Sequence, residues 1–190
     1  MADDQKQAPG SFRLTYSTMF EPPVELHQRF EAALSRVRAQ LGDTHAMWID
    51  GSARGAAEHF ELRSPIDREL LLGRFALGSA ADVDDAVVAA RAAASGWAAT
   101  PYPQRIELLR RAAALIEQRV YELSAAVALE VGKNRMEAIG EVQETADLVS
   151  WYCAEMEENG GFVRFLRDDP LKGYASHNRT VLKPHGAWAV

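Results

Sequence analysis

Cysteine, long apolar runs and excess positive charge are all scarce in this sequence. Cys153 is the only cysteine, so no internal disulfide can form, and a reducing compartment such as the cytoplasm is expected. No run of about 18 apolar residues occurs, so no membrane-spanning helix is predicted. The formal net charge is −6, whereas nucleic-acid binding needs a clustered basic face. The opening MADDQKQAPGSF is acidic and polar, unlike a secretory signal. Membrane and nucleic acid are therefore not expected partners.

The N-terminal third of the sequence predicts one helix followed by short strands. Residues 1–22 are polar and proline-bearing and are expected to form an extended arm. Apolar residues at helical spacing predict an amphipathic helix that ends near Gly42: Leu26, Phe30, Ala33, Leu34, Val37 and Leu41. After it, MWID and HFEL flank the glycine-bearing GSARGAA, which predicts a β-hairpin. SPIDREL predicts a turn, and LLGRFALG predicts a further strand.

Three helices are predicted from residue 79 onwards. Ser79 and Asp82 predict a capped start for the first. One apolar stripe beginning at Ile106 and ending at Val127 predicts a second, single helix. The third follows Gly132 and carries a regular apolar seam: Ile139, Val142, Ala146, Val149, Cys153 and Met156. We expect that seam to be exposed, because the strands that would cover it are missing from this chain. The interpretation of Trp151 and Tyr152 is core and interface packing.

The pair Gly132-Lys133 invites comparison with a phosphate-binding loop. Such a loop needs a glycine five residues earlier and a serine or threonine after the lysine. Val127 and Asn134 occupy those positions, so the match fails. The pair instead predicts a helix end, with glycine in the left-handed conformation.

Glu130 is a candidate site residue just before that helix end. It continues the apolar stripe of the second helix, and the helix dipole disfavours a carboxylate in the last turn. Two interpretations stay open from the residues alone. Either Glu130 is exposed or paired with nearby Lys133 or Arg135, or it faces a functional cavity.

No other residue pattern predicts a complete active site. Cys153 lies on the apolar seam without a histidine nearby and is interpreted as a small buried hydrophobe. The histidines are scattered without ligand spacing, so no metal site is predicted: His27, His45, His59, His177 and His185. No G-x-G-x-x-G motif follows a strand. The β-like tail ends inside the apolar AWAV, which suggests a piece of a longer protein or a strand that needs a partner.

Several segments, in this order, resemble the N-terminal half of the aldehyde dehydrogenase superfamily. They are SPID and its following strand, ADVDDAVVAARAAASGW, RIELLRRAAALIEQRV and VLKPHGAWAV. Ser64 stands where the family usually has asparagine before proline. LEVGKNRMEAIGEV and WYCAEMEENGGF are most similar to the 1-pyrroline-5-carboxylate dehydrogenase branch, whose substrate is L-glutamate γ-semialdehyde.

The resemblance implies an α/β fold, the N-terminal part of the aldehyde dehydrogenase fold with an incomplete Rossmann-like sheet. Residues 1–45 would form an arm and helix, 46–170 the first part of the NAD(P)-binding domain, and 171–190 the start of an oligomerisation strand. It also implies oxidation of an aldehyde with NAD or NADP, through a cysteine thioester that a glutamate-activated water hydrolyses. The family's catalytic and cofactor-binding residues lie beyond this chain, so no catalytic, cofactor or metal residue is assigned.

The resemblance gives Glu130 a substrate-binding role and makes a homo-oligomer the expected assembly. The partner would be a small aldehyde, and the chain alone is expected to be inactive. Two alternatives stay open: a dehydrogenase for another aldehyde, and a non-catalytic scaffolding remnant that pairs with an intact subunit.

Overall fold

A computed structural model describes residues 22–190 except 169, 172 and 174. The arm predicted over residues 1–22 lies outside this part of the chain, apart from residue 22. The described helices are α1 (Val24–Arg38), α2 (Ala80–Ala99), α3 (Tyr102–Gln118), α4 (Val120–Val131) and α5 (Arg135–Glu158). The described strands are β1 (Thr44–His45), β2 (Met47–Ile49), β3 (Ser52–Arg54), β4 (His59–Arg63), β5 (Leu71–Ala76), β6 (Val163–Phe165) and β7 (Arg179–Val181). The predicted mixture of helices and small sheets is confirmed.

The core is built by α1, α3, α4 and α5. Small residues on α4 let the flanking helices approach closely, so α1 and α5 pack on opposite parts of it. The central cluster consists of Leu26, Phe30, Ala33, Ala125, Ala128, Ala138 and Ile139. Further along, α5 packs against α3, and Cys153 is 1% exposed with its Sγ 4.0 Å from the carbonyl oxygen of Ile106. Cys153 is thus a small buried hydrophobe, as predicted.

The seam of α5 is covered, contrary to the sequence-based expectation. Of its predicted residues, Ile139, Val142, Ala146 and Cys153 are buried, and Val149 and Met156 are half-buried. The prediction of the helix was right, but the prediction that its seam lies exposed was wrong, because α3 and α4 fold back onto it.

The second predicted helix is in fact two helices. The backbone of Arg119 has φ −103° and ψ 15°, which ends α3 and begins α4. The carbonyl of Arg119 still accepts from Leu123, so the chain resumes helical bonding at once. The apolar stripe continues across the break, and its periodicity therefore gave no sign of it.

The predicted hairpin pairs different segments from those expected. β2 pairs with β3 in antiparallel register, joined by Asp50 and Gly51 at φ 52° and φ 70°. Positive φ at both turn residues is the geometry that an Asp-Gly pair favours in a two-residue hairpin. β4 pairs instead with β5, in a three-stranded sheet of order β1-β5-β4 in which β1 is parallel to β5. β6 and β7 form a separate antiparallel pair.

Helix α2 begins as predicted but has no buried residue. Ser79 and Asp82 form a reciprocal capping box, in which the Ser79 amide donates to the Asp82 carboxylate at 2.8 Å. Its apolar side chains point outward, with Val83 61% and Val88 66% exposed. No helix in the described part of the chain is long and apolar enough to cross a membrane.

Trp151 and Tyr152 are not part of the core. Their side chains are 54% and 64% exposed and contact each other edge to face, with ring centroids 4.9 Å apart. The core interpretation was wrong because these residues lie off the α5 seam and keep more than half of their side-chain surface exposed.

Candidate functional site

The candidate site is the junction between the turn at residues 64–70 and the C-terminal end of α4. The turn is compact because its backbone bonds to itself: Ser64 donates to Leu70 and Leu70 donates to Asp67, each at 3.0 Å. The Asp67 carboxylate also accepts from the Glu69 amide at 3.0 Å. These bonds fit the turn that the proline and aspartate of SPID predict.

Ser64 links this turn to α4. Its side chain is 1% exposed, and its Oγ donates to the carbonyl oxygen of Leu129 at 2.6 Å. The same Oγ accepts from the amide of Ile66 at 3.3 Å. Both capacities of a buried hydroxyl are therefore used, so its burial carries no unpaired-group penalty.

Gly132 ends α4 in the conformation that the sequence predicts. Its φ of 74° and ψ of 23° are left-handed, and its amide donates to the carbonyl of Ala128. A Cβ on Gly132 would lie 3.4 Å from Cγ of Pro65, at van der Waals distance, so the turn lies close to the helix end. The Gly-Lys pair is thus a helix end, and no phosphate loop is formed.

Glu130 lies exposed in the last turn of α4. No hydrogen bond or ion pair reaches it from the described residues. Its two nearby cations are engaged elsewhere, since Lys133 pairs with Glu141 and Arg135 pairs with Glu31. The structure thus favours exposure of Glu130 over pairing, and its substrate-binding role stays a prediction.

Arg135 also holds α1 beside this junction. Its guanidinium donates to Nδ1 of His27 at 2.8 Å and lies 4.7 Å from the centroid of the Phe30 ring. Together with the Glu31 contact, this ties the start of α5 to α1. The positive charge nearest to Glu130 in the following helix is therefore directed away from it.

The N-terminus of α2 does not suit a dinucleotide phosphate. In doubly wound folds the phosphates bind where a strand leads into a helix, on free backbone amides. Here the β5–α2 junction carries the Asp82 carboxylate, which accepts from both the amide and the hydroxyl of Ser79. Those bonds, the Ser79 hydroxyl first, lower the pKa of Asp82 to about 2, with a further contribution from Arg54. A negative group fixed at this helix start would repel an anion.

An apolar cavity of about 240 Å³ lies beside Cys153, between α3 and α5. Its walls include Trp97, Tyr102, Tyr152 and Phe162. The Cys153 thiol is buried there, with its Sγ 4.0 Å from the carbonyl oxygen of Ile106. Within the described ranges no group of three or more metal-ligating side chains occurs.

The chemistry that this arrangement supports is recognition rather than bond-making. One free carboxylate stands on a rigid helix end, next to a turn that supports the backbone. The sequence singled out Glu130, whose role stays a prediction, but it did not predict the contact of Ser64 with Leu129. Part of this contact could have been predicted, because a serine before a proline is typical of a turn and its hydroxyl can bond to backbone groups.

Comparison with known proteins shows which family this chain resembles in sequence. A model of the aldehyde dehydrogenase family matches residues 48–190. The chain is 31% identical over 161 residues to the 1-pyrroline-5-carboxylate dehydrogenase of Staphylococcus epidermidis, covering 84% of this chain and 30% of that protein. It is 35% identical over 145 residues to the N-succinylglutamate 5-semialdehyde dehydrogenase of Burkholderia vietnamiensis, covering 76% of this chain and 28% of that protein.

The fold agrees with these relatives. The crystal structure of 1-pyrroline-5-carboxylate dehydrogenase from Thermus with bound NAD matches with a TM-score of 0.74 and 28% identity, covering 86% of this chain and 31% of that one. The chain thus spans about 30% of the length of the curated relatives it matches. The family match includes the candidate site and every described element from β3 onwards. The chain belongs to the aldehyde dehydrogenase family.

Proposed function

We propose that this chain is part of an NAD-dependent dehydrogenase that oxidises L-glutamate γ-semialdehyde to glutamate in the catabolism of proline. The observation that carries the proposal is the similarity to 1-pyrroline-5-carboxylate dehydrogenases, which extends over 84% of the chain in sequence and 86% in structure. In the overall reaction, the aldehyde and water give a carboxylate, a hydride (two electrons and one proton) passes to NAD⁺, and two protons are released to solvent.

Glu130 is proposed to bind the α-ammonium group of the substrate. Glutamate γ-semialdehyde carries a permanent positive charge at that position near neutral pH. A free carboxylate is the side chain that pairs best with an ammonium group, and Glu130 is not paired with Lys133 or Arg135. The dipole of α4 disfavours a negative charge at its C-terminus, so an ammonium ligand would also relieve that unfavourable contact.

The test is a kinetic assay on the whole protein encoded by the gene that contains this sequence. We expect formation of NADH from γ-semialdehyde, and a rise in KM of about tenfold for Glu130→Gln with little change in kcat. Glu144→Gln is the matched control, since Glu144 is an exposed glutamate on α5. Absence of turnover with γ-semialdehyde would refute the proposal, and equal effects of the two substitutions would remove Glu130 from substrate binding.

A second candidate substrate is N-succinylglutamate 5-semialdehyde, favoured by the 35% identity to the Burkholderia vietnamiensis enzyme. Its α-nitrogen is acylated and carries no charge, so Glu130 would have no ammonium partner. The two functions are separated by comparing both aldehydes on the same enzyme. A higher kcat/KM for the N-succinyl compound, unaffected by Glu130→Gln, would favour the second function.

The 190-residue chain alone is proposed to be inactive. Its one cysteine is buried against α3 and is not placed for attack on an aldehyde. Clear NADH formation by the purified chain would contradict this. A scaffolding role for the chain would instead be supported by its co-purification with an intact aldehyde dehydrogenase subunit.

The proposed assembly is a homo-oligomer, with the β6–β7 hairpin as a contact surface. Apolar side chains on and beside the hairpin are exposed, among them Phe165 at 77% and Leu182 at 65%. Two-stranded hairpins leave backbone groups on both outer edges available for pairing with another subunit. Light scattering on the whole protein should give a dimer or larger species. The proposed location is the cytoplasm, which cell fractionation can test.

A further inference from the structure

The C-terminal end of α4 is held by a side chain distant in sequence. Helix carbonyls in the last turn lack intrahelical partners, and the carbonyl of Leu129 is one of these because α4 ends two residues later. The Ser64 hydroxyl donates to this carbonyl at 2.6 Å, across 65 residues of sequence. At 1% exposure, the hydroxyl has no access to water that could replace the bond.

Pro65 lies close to the same helix end. A Cβ added to the left-handed Gly132 would lie 3.4 Å from Cγ of the Pro65 ring, at van der Waals distance. Ser64 and Pro65 are consecutive, so one turn contacts α4 both before and after Glu130. The backbone segment 129–132 is therefore hydrogen-bonded to the turn at Leu129 and lies beside Pro65 at Gly132, with Glu130 between these two points.

The side chain of Glu130 has no anchor of its own among the described residues. Lys133 and Arg135, the cations that could have held it, are paired with residues of α5 and α1. The direction of the Glu130 carboxylate is consequently set by the backbone that carries it. Loss of the Ser64 bond would let the last turn of α4 fray, and the carboxylate would move with it.

We propose that Ser64 is a positioning residue for Glu130: through its bond to the Leu129 carbonyl it holds the carboxylate where it meets the substrate's ammonium group. The inference rests on the proposed role of Glu130 in substrate binding. Ser64 does not touch the substrate. It acts on the affinity for aldehydes that carry an ammonium group, and it leaves aldehydes that lack this group unaffected.

The test compares Ser64→Thr with Ser64→Val in the whole protein. Both substitutions add nearly the same volume at the buried position, but only threonine keeps the hydroxyl donor. Relative to Ser64→Thr, we expect Ser64→Val to raise KM for γ-semialdehyde roughly three- to tenfold with kcat within about twofold. KM for propanal, which has no ammonium group, should be equal in the two variants. In a Glu130→Gln background the Thr/Val difference should disappear.

Ser124→Ala is the control for a purely structural effect. Ser124 is also a buried serine of α4, but its hydroxyl donates to Val120 within the same helix, away from Glu130. It should lower the melting temperature without changing KM for either aldehyde. If Ser64→Val raises KM for propanal as much as for γ-semialdehyde, or if its effect persists without Glu130, the positioning role is overturned.

Hydrogen exchange on the 190-residue chain gives a readout that does not depend on the reaction. Amides of residues 130–132 should exchange at least about tenfold faster in Ser64→Val than in Ser64→Thr, and Ser124→Ala should not reproduce this local change. Equal exchange in the Thr and Val variants would refute the positioning. Faster exchange without any effect of Glu130→Gln on KM would show that the anchor exists but that the proposed role of Glu130 is wrong.

Discussion

Helices α5 and α2 are both long and both rich in apolar residues, yet they are used in opposite ways. α5 buries five residues against α3 and α4, whereas α2 buries none. What holds α2 is polar and terminal: the capping box at Ser79, and Arg54 of the β2–β3 hairpin, which donates to Asp85 at 2.7 Å and to Asp82 at 3.1 Å. One helix is buried against its neighbours, whereas the other stays exposed along its length and is bound at its start by charges and hydrogen bonds.

The difference shows what an apolar stripe does and does not specify. A stripe predicts a helix and the face that avoids water, but the covering element depends on the rest of the chain. In α5 the neighbouring sequence supplies the cover. In α2 the stripe remains a free surface, beside a shallow apolar groove that it forms with the segment 184–187. Four experiments test this contrast, and each compares α2 with a packed helix.

Truncation of the α5 seam should cost the most stability. Ile139 is 3% exposed in the central cluster, so Ile139→Ala should lower the free energy of unfolding by about 2–4 kcal/mol. The matched change on α2, Val83→Ala, removes a side chain that is 61% exposed and should cost less than about 0.5 kcal/mol. Urea unfolding followed by circular dichroism measures both. Similar losses would mean that α2 is packed as firmly as α5.

Two glycine substitutions should change the stability of the chain in opposite directions. Gly132→Ala places a side chain at φ 74° and against Pro65, and should destabilise the chain by about 1–2 kcal/mol. Gly96 lies inside α2, and a Cβ added there would have no neighbour within 4 Å, so Gly96→Ala should stabilise the helix by up to about 1 kcal/mol. Thermal unfolding of both variants gives the comparison. Destabilisation by Gly96→Ala would show that something covers α2 there.

Acid should loosen the start of α2 before it affects the start of α5. The pKa of Asp82 is lowered from 3.8 to about 2, so its contribution is complete above pH 3.8 and is lost as the pH falls through about 2. The N-cap of α5 is the neutral Asn134, which accepts from the Glu137 amide at 3.0 Å and does not titrate. NMR shifts of the first-turn amides between about pH 4 and pH 2 measure this. Asp82→Asn should abolish the change at α2, and an unchanged titration there would contradict the assignment.

Adding a charge to the exposed face of α2 should change stability least. Val88→Lys should reduce the fluorescence of a bound hydrophobic dye while leaving the melting temperature within about 2 °C, because Val88 is 66% exposed. Ser150→Lys adds the same charge to an exposed position of α5 and should leave dye binding unchanged. A loss of dye binding with the α5 variant alone would place the dye-binding surface on α5.

The features that the sequence predicted correctly have local causes. The start of α2 depends on Ser79 and Asp82, three residues apart, and the end of α4 depends on the backbone freedom of Gly132. The wrong hairpin pairing could also have been corrected from local sequence. Asp50-Gly51 favours a tight turn directly after MWI, whereas the prediction paired MWID with the more distant HFEL segment. The break at Arg119 has no such signal, since the apolar spacing runs through it.

The candidate site likewise has one feature with a local cause and others that depend on residues distant in sequence. That Glu130 stands in a last helical turn could be predicted from its neighbours. The engagement of its two neighbouring cations could not be predicted. Lys133 pairs with Glu141, and Arg135 pairs with Glu31, which is 104 residues away in sequence. The Ser64 contact with Leu129 joins two segments 65 residues apart. No spacing rule reaches such pairs, because only the folded chain brings them together.

The position of α1 has a practical consequence for anyone trimming this polypeptide. The match to the family model starts at residue 48, after α1 has ended. Yet Leu26, Phe30 and Ala33 of α1 complete the cluster around α4, and Arg135 binds both His27 and Glu31. A version that starts at residue 48 would expose to water the side of α4 that α1 covers, and Arg135 would lose both of these partners. The stretch that the family model matches is therefore shorter than the stretch that should be expressed.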